Sequence, residues 1–362
     1  MSIDFSADRW RAVKDNYRRW WAGDLNRPLI QIALSGRGPA RAKPDIPWHH
    51  FNSFYDLSVP VSKIVDWYEF ILEDTLYLGD SFPHVIPYFG PGVTAAYLGA
   101  EVVNGPESGT TWFRPRSLLP APDLRLRLLP DEPWWLRTID LYRAAQERFQ
   151  GLVQLDMTDL GGNLDIASTF RPGEALLLDL YDCPGDVARL AWESHEVWWR
   201  CFEAISREAG MNPGYTAWTP IFSQQPYYML QCDFCYMIGP EMFAKFVLPE
   251  LAASCRKLAN AFYHLDGPGA LPHLDALLSI PELKGIQWVP GAGQPDITKW
   301  PEVYRRIRAA GKLIQIFPDA PHGWEALDII ADQLGSARGI IMIGGGGIGD
   351  EAAAMRVLDK YS

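Results

Sequence analysis

The most informative part of this sequence is Asn260-Ala-Phe-Tyr-His-Leu-Asp-Gly-Pro-Gly269. It begins as an apolar, aromatic run, which predicts a buried strand, and it breaks sharply at the Gly-Pro-Gly turn, after which a helical pattern follows. His264 and Asp266 lie two residues apart at the end of this run, and on a strand that spacing puts both side chains on the same face. An imidazole beside a carboxylate at the carboxyl end of a strand is suited to proton transfer or to metal binding. The alternative is that the two residues only cap the next turn.

The length and composition are those of a globular protein with a sizeable core. The 362 residues are 48% hydrophobic and 21% charged, and they suffice for two average domains or for one large α/β barrel. No uncharged apolar run reaches about 18 residues, and residues 1–19 are polar and amphipathic, unlike a signal peptide. We therefore expect no membrane partner and a cytoplasmic location.

Charge, cysteine content and aromatic content narrow the range of partners. The net charge of -11 argues against nucleic acid. Five cysteines are a sparse and odd number, which predicts reduced thiols. Fifteen Trp, fifteen Tyr and sixteen Phe are many, and some of these rings are expected to line a cavity or an interface. The sequence thus predicts a small-molecule substrate as partner and leaves a homodimer open.

Short apolar runs alternate with helical patterns along the chain, which implies a parallel sheet. Eight runs have the character of strands, and a helix or an excursion follows each of them. Their ranges are 28–34, 85–92, 151–156, 215–222, 260–266, 285–290, 312–317 and 339–343. Eight such units predict a closed (β/α)8 TIM barrel, formed as a single domain by residues 1–362. A doubly wound open sheet is the alternative, but no GxGxxG opens a helix after the first strand.

Two parts of the chain are predicted to depart from the regular repeat. Residues 1–80 form an N-terminal extension that includes a helix and the first strand. Residues 101–133 contain Thr110-Thr-Trp-Phe113 and the alternating Leu124-Arg-Leu-Arg-Leu128. This pattern predicts a small β-hairpin insertion.

Polar side chains gather at the predicted carboxyl ends of the strands, where the chemistry of such barrels takes place. Those that belong to the third, sixth and seventh strands are Asp159 and Asp165, Gln287 and Trp288, and Gln315 and His322. Residues 223–225 follow the predicted fourth strand. Together with His264 and Asp266, these groups exceed what a packed core needs, and they predict an active site.

The catalytic candidates are the carboxylates and His264. Asp266 and Asp165 are the acid–base candidates, with Asp159 counted beside them, and partial burial would set their pKa values. His264 would orient Asp266 or share its proton. A metal held by His264 and Asp266 is an open alternative.

The remaining candidates would bind the substrate. Flat walls and polar contacts are predicted from Trp288, Trp218 and Tyr88, and from Gln287, Gln315 and His322. Arg37, in the turn after the first strand, is suited to hold a substrate carboxylate, or else is a surface loop arginine. Packing in the core is an equal alternative for each Trp. Such a site suits a small, polar, largely uncharged molecule such as a sugar, a polyol or an aromatic ether.

Several motifs occur in a characteristic order. They are Gly161-Gly-Asn-Leu-Asp165 followed by Leu178-Asp-Leu-Tyr-Asp-Cys-Pro184, Gln231-Cys-Asp233 with Pro240-Glu-Met-Phe243, Tyr263-His-Leu-Asp-Gly267, and Gln287-Trp-Val-Pro-Gly291. Over roughly residues 85–362 the chain resembles the uroporphyrinogen decarboxylase-like superfamily. Barrels of that superfamily include the decarboxylase, corrinoid-linked methyltransferases and cobalamin-independent methionine synthase. The resemblance implies a barrel enzyme that is a lyase or a transferase.

The chain departs from this resemblance at the metal site. The similar methyltransferases carry a His-x-Cys pair on the fifth strand and another Cys after the eighth, which hold zinc. Here Asp266 follows His264, and residues 344–347 after the last strand are glycines. Cys232 and Cys235 form a CxxC pair that we interpret as structural. We therefore predict no certain cofactor and no cysteine-bound zinc, and leave a harder divalent metal open.

The decarboxylase itself is also a poor match. It has an arginine-rich N-terminal segment for its tetrapyrrole, whereas this chain offers only Arg37 and Arg41 near that place. An acidic mouth would repel such a substrate. The sequence predicts a related enzyme with carboxylate–histidine acid–base chemistry on a small polar substrate. The alternatives are a corrinoid-linked methyltransferase with an altered metal site, and a non-catalytic ligand-binding barrel.

Overall fold

A seven-stranded sheet is the largest element of the protein, whose computed structural model describes residues 3–105, 107, 109–319 and 321–362. The strands along the chain are β1 (Leu29–Ser35), β2 (Thr75–Gly79), β3 (His84–Val85), β4 (Glu101–Gly105), β5 (Thr110–Arg114), β6 (Gln154–Leu155), β7 (Tyr227–Leu230), β8 (Asn260–Asp266), β9 (Leu283–Val289), β10 (Leu313–Ile316) and β11 (Ile340–Gly347). The spatial order is β2-β1-β11-β10-β9-β8-β7. Neighbouring strands are parallel except for the β1–β2 pair.

Helices connect these strands and pack against them. They are α1 (Ala7–Trp21), α2 (Val61–Asp74), α3 (Thr94–Tyr97), α4 (Pro133–Phe149), α5 (Asn163–Phe170), α6 (Ala175–Asp182), α7 (Pro184–Glu208), α8 (Pro240–Phe246), α9 (Leu248–Lys257), α10 (Leu274–Leu278), α11 (Pro301–Ala309), α12 (Ala326–Leu334) and α13 (Glu351–Lys360). The longest, α7, begins at a proline, whose missing N–H costs nothing in a first helical turn. Its apolar residues recur every three or four positions and form the buried face, as in Val187, Leu190 and Ala191. Within the described residues, no helix combines the length and the apolar character needed to cross a bilayer.

The predicted closed barrel is confirmed in its coarser form, as a mixed α/β fold with a largely parallel sheet. The short strands β3 and β6 pair in parallel as a separate two-stranded sheet. Among the described residues, no hydrogen-bonded ladder joins this pair to β7 or to β1. Closure into eight strands therefore stays a prediction, as does the division into a single domain with an extension at 1–80.

The predicted fourth strand, at 215–222, is wrong. This segment makes one isolated antiparallel bridge, between Tyr215 and Ser223, and Pro220 in its middle has no N–H to give to a ladder. The strand in this position of the sheet is β7, a few residues later. As a result, residues 223–225 precede the strand and lie at its amino end, whereas Gln231 and Asp233 follow it at the carboxyl end.

The hairpin predicted within residues 101–133 is present as the antiparallel pair β4–β5. Pro106 and Ser108, in its turn, lie outside the described residues. The alternating segment 124–128 forms no strand, although Leu124 and Leu126 are buried. Only the first half of the insertion is thus a β-structure.

Helix α1 closes the amino end of the inner face of the sheet. Ser6 caps its first turn by accepting from the Arg9 amide at 3.2 Å. At its other end Trp20 is buried and stacks on Phe262, with ring centroids 6.0 Å apart. Because side chains of a strand alternate, Phe262 lies on the same face of β8 as His264 and Asp266. The inner face is therefore sealed at one end and carries its polar groups at the other.

Candidate functional site

His264, Asp266 and Asp233 come together at the carboxyl end of β7 and β8. The Nε2 atom of His264 lies 4.0 Å from the Oδ2 atom of Asp266, and one ligand atom from each of the three residues lies within 4.8 Å of the others. Asp233 reaches this place because it follows β7, the parallel neighbour of β8. Gly267 has a φ of 73°, which favours glycine and ends the strand directly after Asp266. These three residues are called the Asp–His–Asp group below.

The Asp–His–Asp group is sheltered on the histidine side and open on the carboxylate side. The His264 side chain is 15% exposed and that of Asp266 is 49% exposed. Asp233 is also exposed. The group can therefore be reached by a ligand, while its imidazole is held by the fold.

Gln287 on β9 holds the other ring nitrogen of His264. The Nδ1 atom of His264 is hydrogen-bonded to the Oε1 atom of Gln287, which only accepts, so Nδ1 carries the proton and Nε2 has the free lone pair. The edge of Trp218 packs on the imidazole, with ring centroids 5.1 Å apart. Burial lowers the pKa of His264, and the Gln287 contact and Asp266 oppose this. These contacts fix both the ring and its tautomer.

A row of buried polar side chains crosses three strands at the level of His264. His264 pairs in register with Gln287, and Gln287 with Gln315 on β10. Both amides are fully buried, and the Nε2 atom of each has no hydrogen-bond partner among the described residues. The structure thus places Gln287 and Gln315 in one row with His264 across the sheet. Their predicted role as direct substrate contacts stays a prediction.

Asp165 and Asp159 lie next to Asp233. The Asp165 carboxylate accepts the backbone N–H groups of Asp233 at 3.0 Å and Phe234 at 2.8 Å, which ties α5 to the turn after β7. Asp159 accepts the Gly161 N–H at 2.8 Å. Both predicted carboxylates therefore also have a structural function, since each orders a loop at the mouth.

Three carboxyl groups of this region, those of Asp159, Asp165 and Asp233, have raised pKa values. Burial, and then the Asp233 charge, raises the pKa of Asp165 to about 7. Burial raises the pKa of Asp159 to about 7, and the Gly161 hydrogen bond opposes it. Burial by the surrounding protein, and then the Asp266 charge, raises the pKa of Asp233 to about 6. Groups with such values are suited to exchange protons at neutral pH, and they concentrate at functional sites.

Two of the predicted aromatic residues, Tyr88 and Trp288, pack against other aromatic rings. Tyr88 packs on Phe51 at 4.8 Å, and burial followed by the charges of Asp159 and Asp233 raises its pKa. Trp288 is buried, and its ring centroid lies 5.1 Å from that of Trp300. This contact favours packing in the core over contact with a substrate.

Two predicted residues have partners of their own. His322 faces Asp296 at 3.8 Å, beside a separate cleft that Asp296 and Asp319 line. Arg37 pairs with Asp4 of the N-terminal segment at 3.1 Å. Neither contact links the residue to the Asp–His–Asp group.

The CxxC cysteines lie below the mouth. Cys232 and Cys235 are buried, and a hydrogen bond from one thiol to the other, together with burial, raises the pKa of Cys232 well above its usual value. The Cys235 sulfur also lies 3.9 Å from the Tyr263 hydroxyl. The raised pKa keeps the Cys232 thiol protonated, and a protonated thiol is a poor metal ligand, so the interpretation of this pair as structural is favoured.

Asp233 is the site residue that sequence reasoning missed. Asp233 is part of the Gln231-Cys-Asp233 motif. Because the fourth strand was predicted at 215–222, however, Asp233 was not expected at the carboxyl end of a strand. The preceding Tyr227-Tyr-Met-Leu230 run is as apolar and aromatic as the chosen segment, and a strand there would have revealed the position.

Comparisons with known proteins give a likeness of fold. No family model matches the chain, and no curated protein matches its sequence. The structure is similar to that of a methyltransferase from Methanosarcina mazei, with a TM-score of 0.63 and 11% sequence identity. The match covers 96% of this chain and 98% of that one. At this identity the similarity establishes a shared fold over nearly the whole chain, and the neighbour is an enzyme.

Proposed function

We propose that the protein is a group-transfer enzyme of the methyltransferase type, in which the Asp–His–Asp group holds a divalent metal that binds the acceptor. The observation that carries the proposal is the convergence of one imidazole and two carboxylates within 4.8 Å at the carboxyl end of neighbouring strands. The likeness of fold to a methyltransferase supports it. The superfamily resemblance of the motifs agrees with it, with Asp266 in the place of a cysteine.

The residues present fit a metal of intermediate or hard character. One nitrogen and two carboxylate oxygens suit Zn²⁺, Co²⁺, Mn²⁺ or Fe²⁺, and three protein ligands leave positions for a substrate. The Gln287 contact supports this fit, because metal-ligating histidines almost always donate their other N–H to an acceptor. Thiolate ligation of the soft type finds no support at this position.

The chain's own residues would order and deprotonate the acceptor. A bound divalent metal lowers the pKa of a coordinated O–H or S–H group. His264 and Asp266 would set the place of the acceptor atom, and Asp165, with a pKa of about 7 beside Asp233, is suited to take up the released proton. The open carboxylate side gives the group donor access to the acceptor atom.

Metal binding tests the proposal. Purified protein is stripped with a chelator and titrated calorimetrically with Zn²⁺, Co²⁺ and Mn²⁺, and we expect one site per chain. His264→Gln and Asp266→Asn should each weaken binding by roughly 100-fold or more, since losing a ligand exceeds the 10–100-fold effect of outer groups. His322→Gln is the matched control, because His322 also faces an aspartate but in another cleft. Its affinity should match the wild type.

Group transfer is tested with methylcobalamin as donor and 2-mercaptoethanol as acceptor. Transfer converts the thiol to its methyl thioether and releases cob(I)alamin and a proton, which absorbance at the cobalamin bands follows. Asp266→Asn should abolish the metal-dependent rate. Absence of metal binding in the wild type, or unchanged binding in His264→Gln, would contradict the proposed site.

The raised carboxylate pKa values favour a second function, a metal-independent lyase with acid–base catalysis. Asp159 and Asp165 have pKa values of about 7, so each is suited to give or take up a proton at neutral pH. Activity on a small hydroxylated substrate that survives chelation would select this function over group transfer.

A further inference from the structure

A cleft lies beside the Asp–His–Asp group and has a volume of about 650 Å³. Three parts of the chain form its walls: the β5 strand with the residues after it, helix α5 with the segment that leads into α6, and the turn after β7. Asp165 and Asp233 belong to its lining. The volume is in the range of small-molecule sites, and Asp233 connects the cleft directly to the proposed metal ligands.

Most of the cleft surface is apolar. Trp112 and Phe113 come from β5, Leu177 from α6, and Phe234 and Met237 from the turn after β7. Trp112 is 58% exposed and Met237 is 55% exposed. Exposed apolar side chains that cluster in a concave surface are typical of a binding site. Flat and flexible apolar groups on separate walls suit a flat apolar ligand.

Arg114 is the one cation among the described residues that line the cleft, where three carboxylates, Asp165, Glu174 and Asp233, also lie. It lines the cleft and is exposed, and it forms no ion pair with any residue that the structure describes. Glu101 is opposite it in the β4–β5 register, but the two side chains do not meet as an ion pair. In a chain of net charge -11, an unpaired guanidinium beside an apolar wall provides a specific place for one anionic group.

We propose that this cleft binds an amphiphilic acid, with a flat apolar body against Trp112 and one carboxylate or other anionic group on Arg114, which shares the exposed face of β5 with Trp112. This proposal rests on the proposed function, since the ligand would be the substrate whose reacting atom reaches the Asp–His–Asp group. It revises the predicted substrate, a largely uncharged polar molecule, toward an apolar acid. Arg114, on the hairpin insertion, is the residue that selects for the charge.

The test is calorimetric binding of 2-naphthoate to chelator-treated protein. The neutral isostere 2-naphthamide should bind about tenfold more weakly, the scale of one charge-assisted hydrogen bond. Acetate, which has the charge without the apolar body, should not compete. Arg114→Gln should weaken naphthoate about tenfold and leave naphthamide unchanged, and Arg114→Lys should recover part of the loss. Trp112→Ala should weaken both ligands.

Arg127→Gln is the matched control, because Arg127 is an exposed arginine of the same insertion that does not line the cleft. Its affinities should equal those of the wild type. Equal losses in the Arg114 and Arg127 variants, equal affinity of acid and amide, or no binding at millimolar naphthoate would overturn the proposal. Because the protein is metal-free in this test, naphthoate binding without metal binding would retain the cleft and reject the metal site.

Discussion

Gln287 determines, at the scale of single residues, which nitrogen of His264 is free to act. Its Oε1 atom accepts a hydrogen bond from the Nδ1–H group, and this leaves the Nε2 lone pair toward Asp266. Gln287→Leu keeps the side-chain size and should weaken Co²⁺ binding by about 10- to 100-fold, the usual effect of losing the group behind a metal-ligating histidine. Absorbance titration with Co²⁺ measures it.

The neighbouring amide provides the control for this prediction. Gln315 is as buried as Gln287 and lies in the same row. The hydrogen bond of His264, however, goes to Gln287 and not to Gln315. Gln315→Leu should therefore leave the Co²⁺ affinity unchanged. Equal losses in both variants would show that the row acts through packing alone.

Asp159 makes the stability of the fold depend on pH. Its folded pKa of about 7 lies above its ordinary value of 3.8, so the folded chain binds this proton more tightly than the unfolded chain. Stability should fall as pH rises from about 4 to 7 and then level off. Asp159→Asn removes the charge, keeps the acceptor for Gly161 and should raise the Tm at pH 8 by roughly 2 °C or more.

Calorimetric scans from pH 5 to pH 8 check this dependence. The wild type should lose more of its Tm over this range than Asp159→Asn does. Identical pH profiles would mean that Asp159 is ionised in the folded protein throughout. Asp165 contributes to the slope in both proteins, since its pKa is raised in the same direction.

The sequence showed part of the candidate site because strand alternation is a local property. His264 and Asp266 belong to one strand, so their spacing alone puts them on one face. The contact of Asp233 with them depends on which strand is the neighbour of β8, and the Gln287 contact depends on register. Neither is a local property, so the spacing of residues along one strand does not predict either contact.

The interlock of β8 and β9 is a feature at the scale of elements. The Phe262 ring lies over Gly285, where a Cβ atom would collide with it. Gly285→Ala should displace Phe262 from its stack on Trp20 and lower the free energy of unfolding by about 1–3 kcal/mol, as overpacking does. Urea denaturation measures this.

Gly185 in the first turn of α7 is the control, because nothing lies within 4 Å of the place its Cβ would take. Gly185→Ala should leave stability unchanged or raise it slightly, by up to about 1 kcal/mol. A Gly285→Ala variant as stable as Gly185→Ala would show that Phe262 is free to move and that α1 is loosely held.

Elements with strong periodicity were predicted well, and those defined by their partners were not. The helix predicted in the N-terminal extension is present as α1, and a helix, α13, follows the last strand as the alternation predicts. The antiparallel strand β2 was missed because it follows α2 without a break and is defined by its ladder with β1. The fourth strand was misplaced because two aromatic runs compete, and only pairing with β8 distinguishes them.

The two ends of the chain meet in the sheet at the scale of the whole molecule. β1 lies between β2 and β11, so that strands from the first and last tenths of the chain are hydrogen-bonded neighbours. Alternation of runs and helices was enough to predict a parallel α/β fold. Closure depends on ladders between distant strands, which composition and periodicity do not contain.

Removal of residues 1–24 should destroy the cooperative fold, because it exposes the end of the inner face that Tyr17 and Trp20 cover. Near-ultraviolet circular dichroism and thermal melting check this, and we expect no sharp transition. The variant Arg11→Ala, at an exposed position of the same helix, should melt like the full chain. A sharp transition in the deletion variant would mean that α1 is a dispensable addition.

The position of α1 also has a consequence for biosynthesis. Its Trp20 is completed early, but the Phe262 ring that it stacks on follows more than 200 residues later. Ribosomes add about 5–20 residues per second, so the helix waits for roughly tens of seconds without its partner. During that time an amphipathic helix with adjacent tryptophans is exposed to other chains and to chaperones. Helix α1 thus takes its final place against Phe262 only after more than 200 further residues have been made.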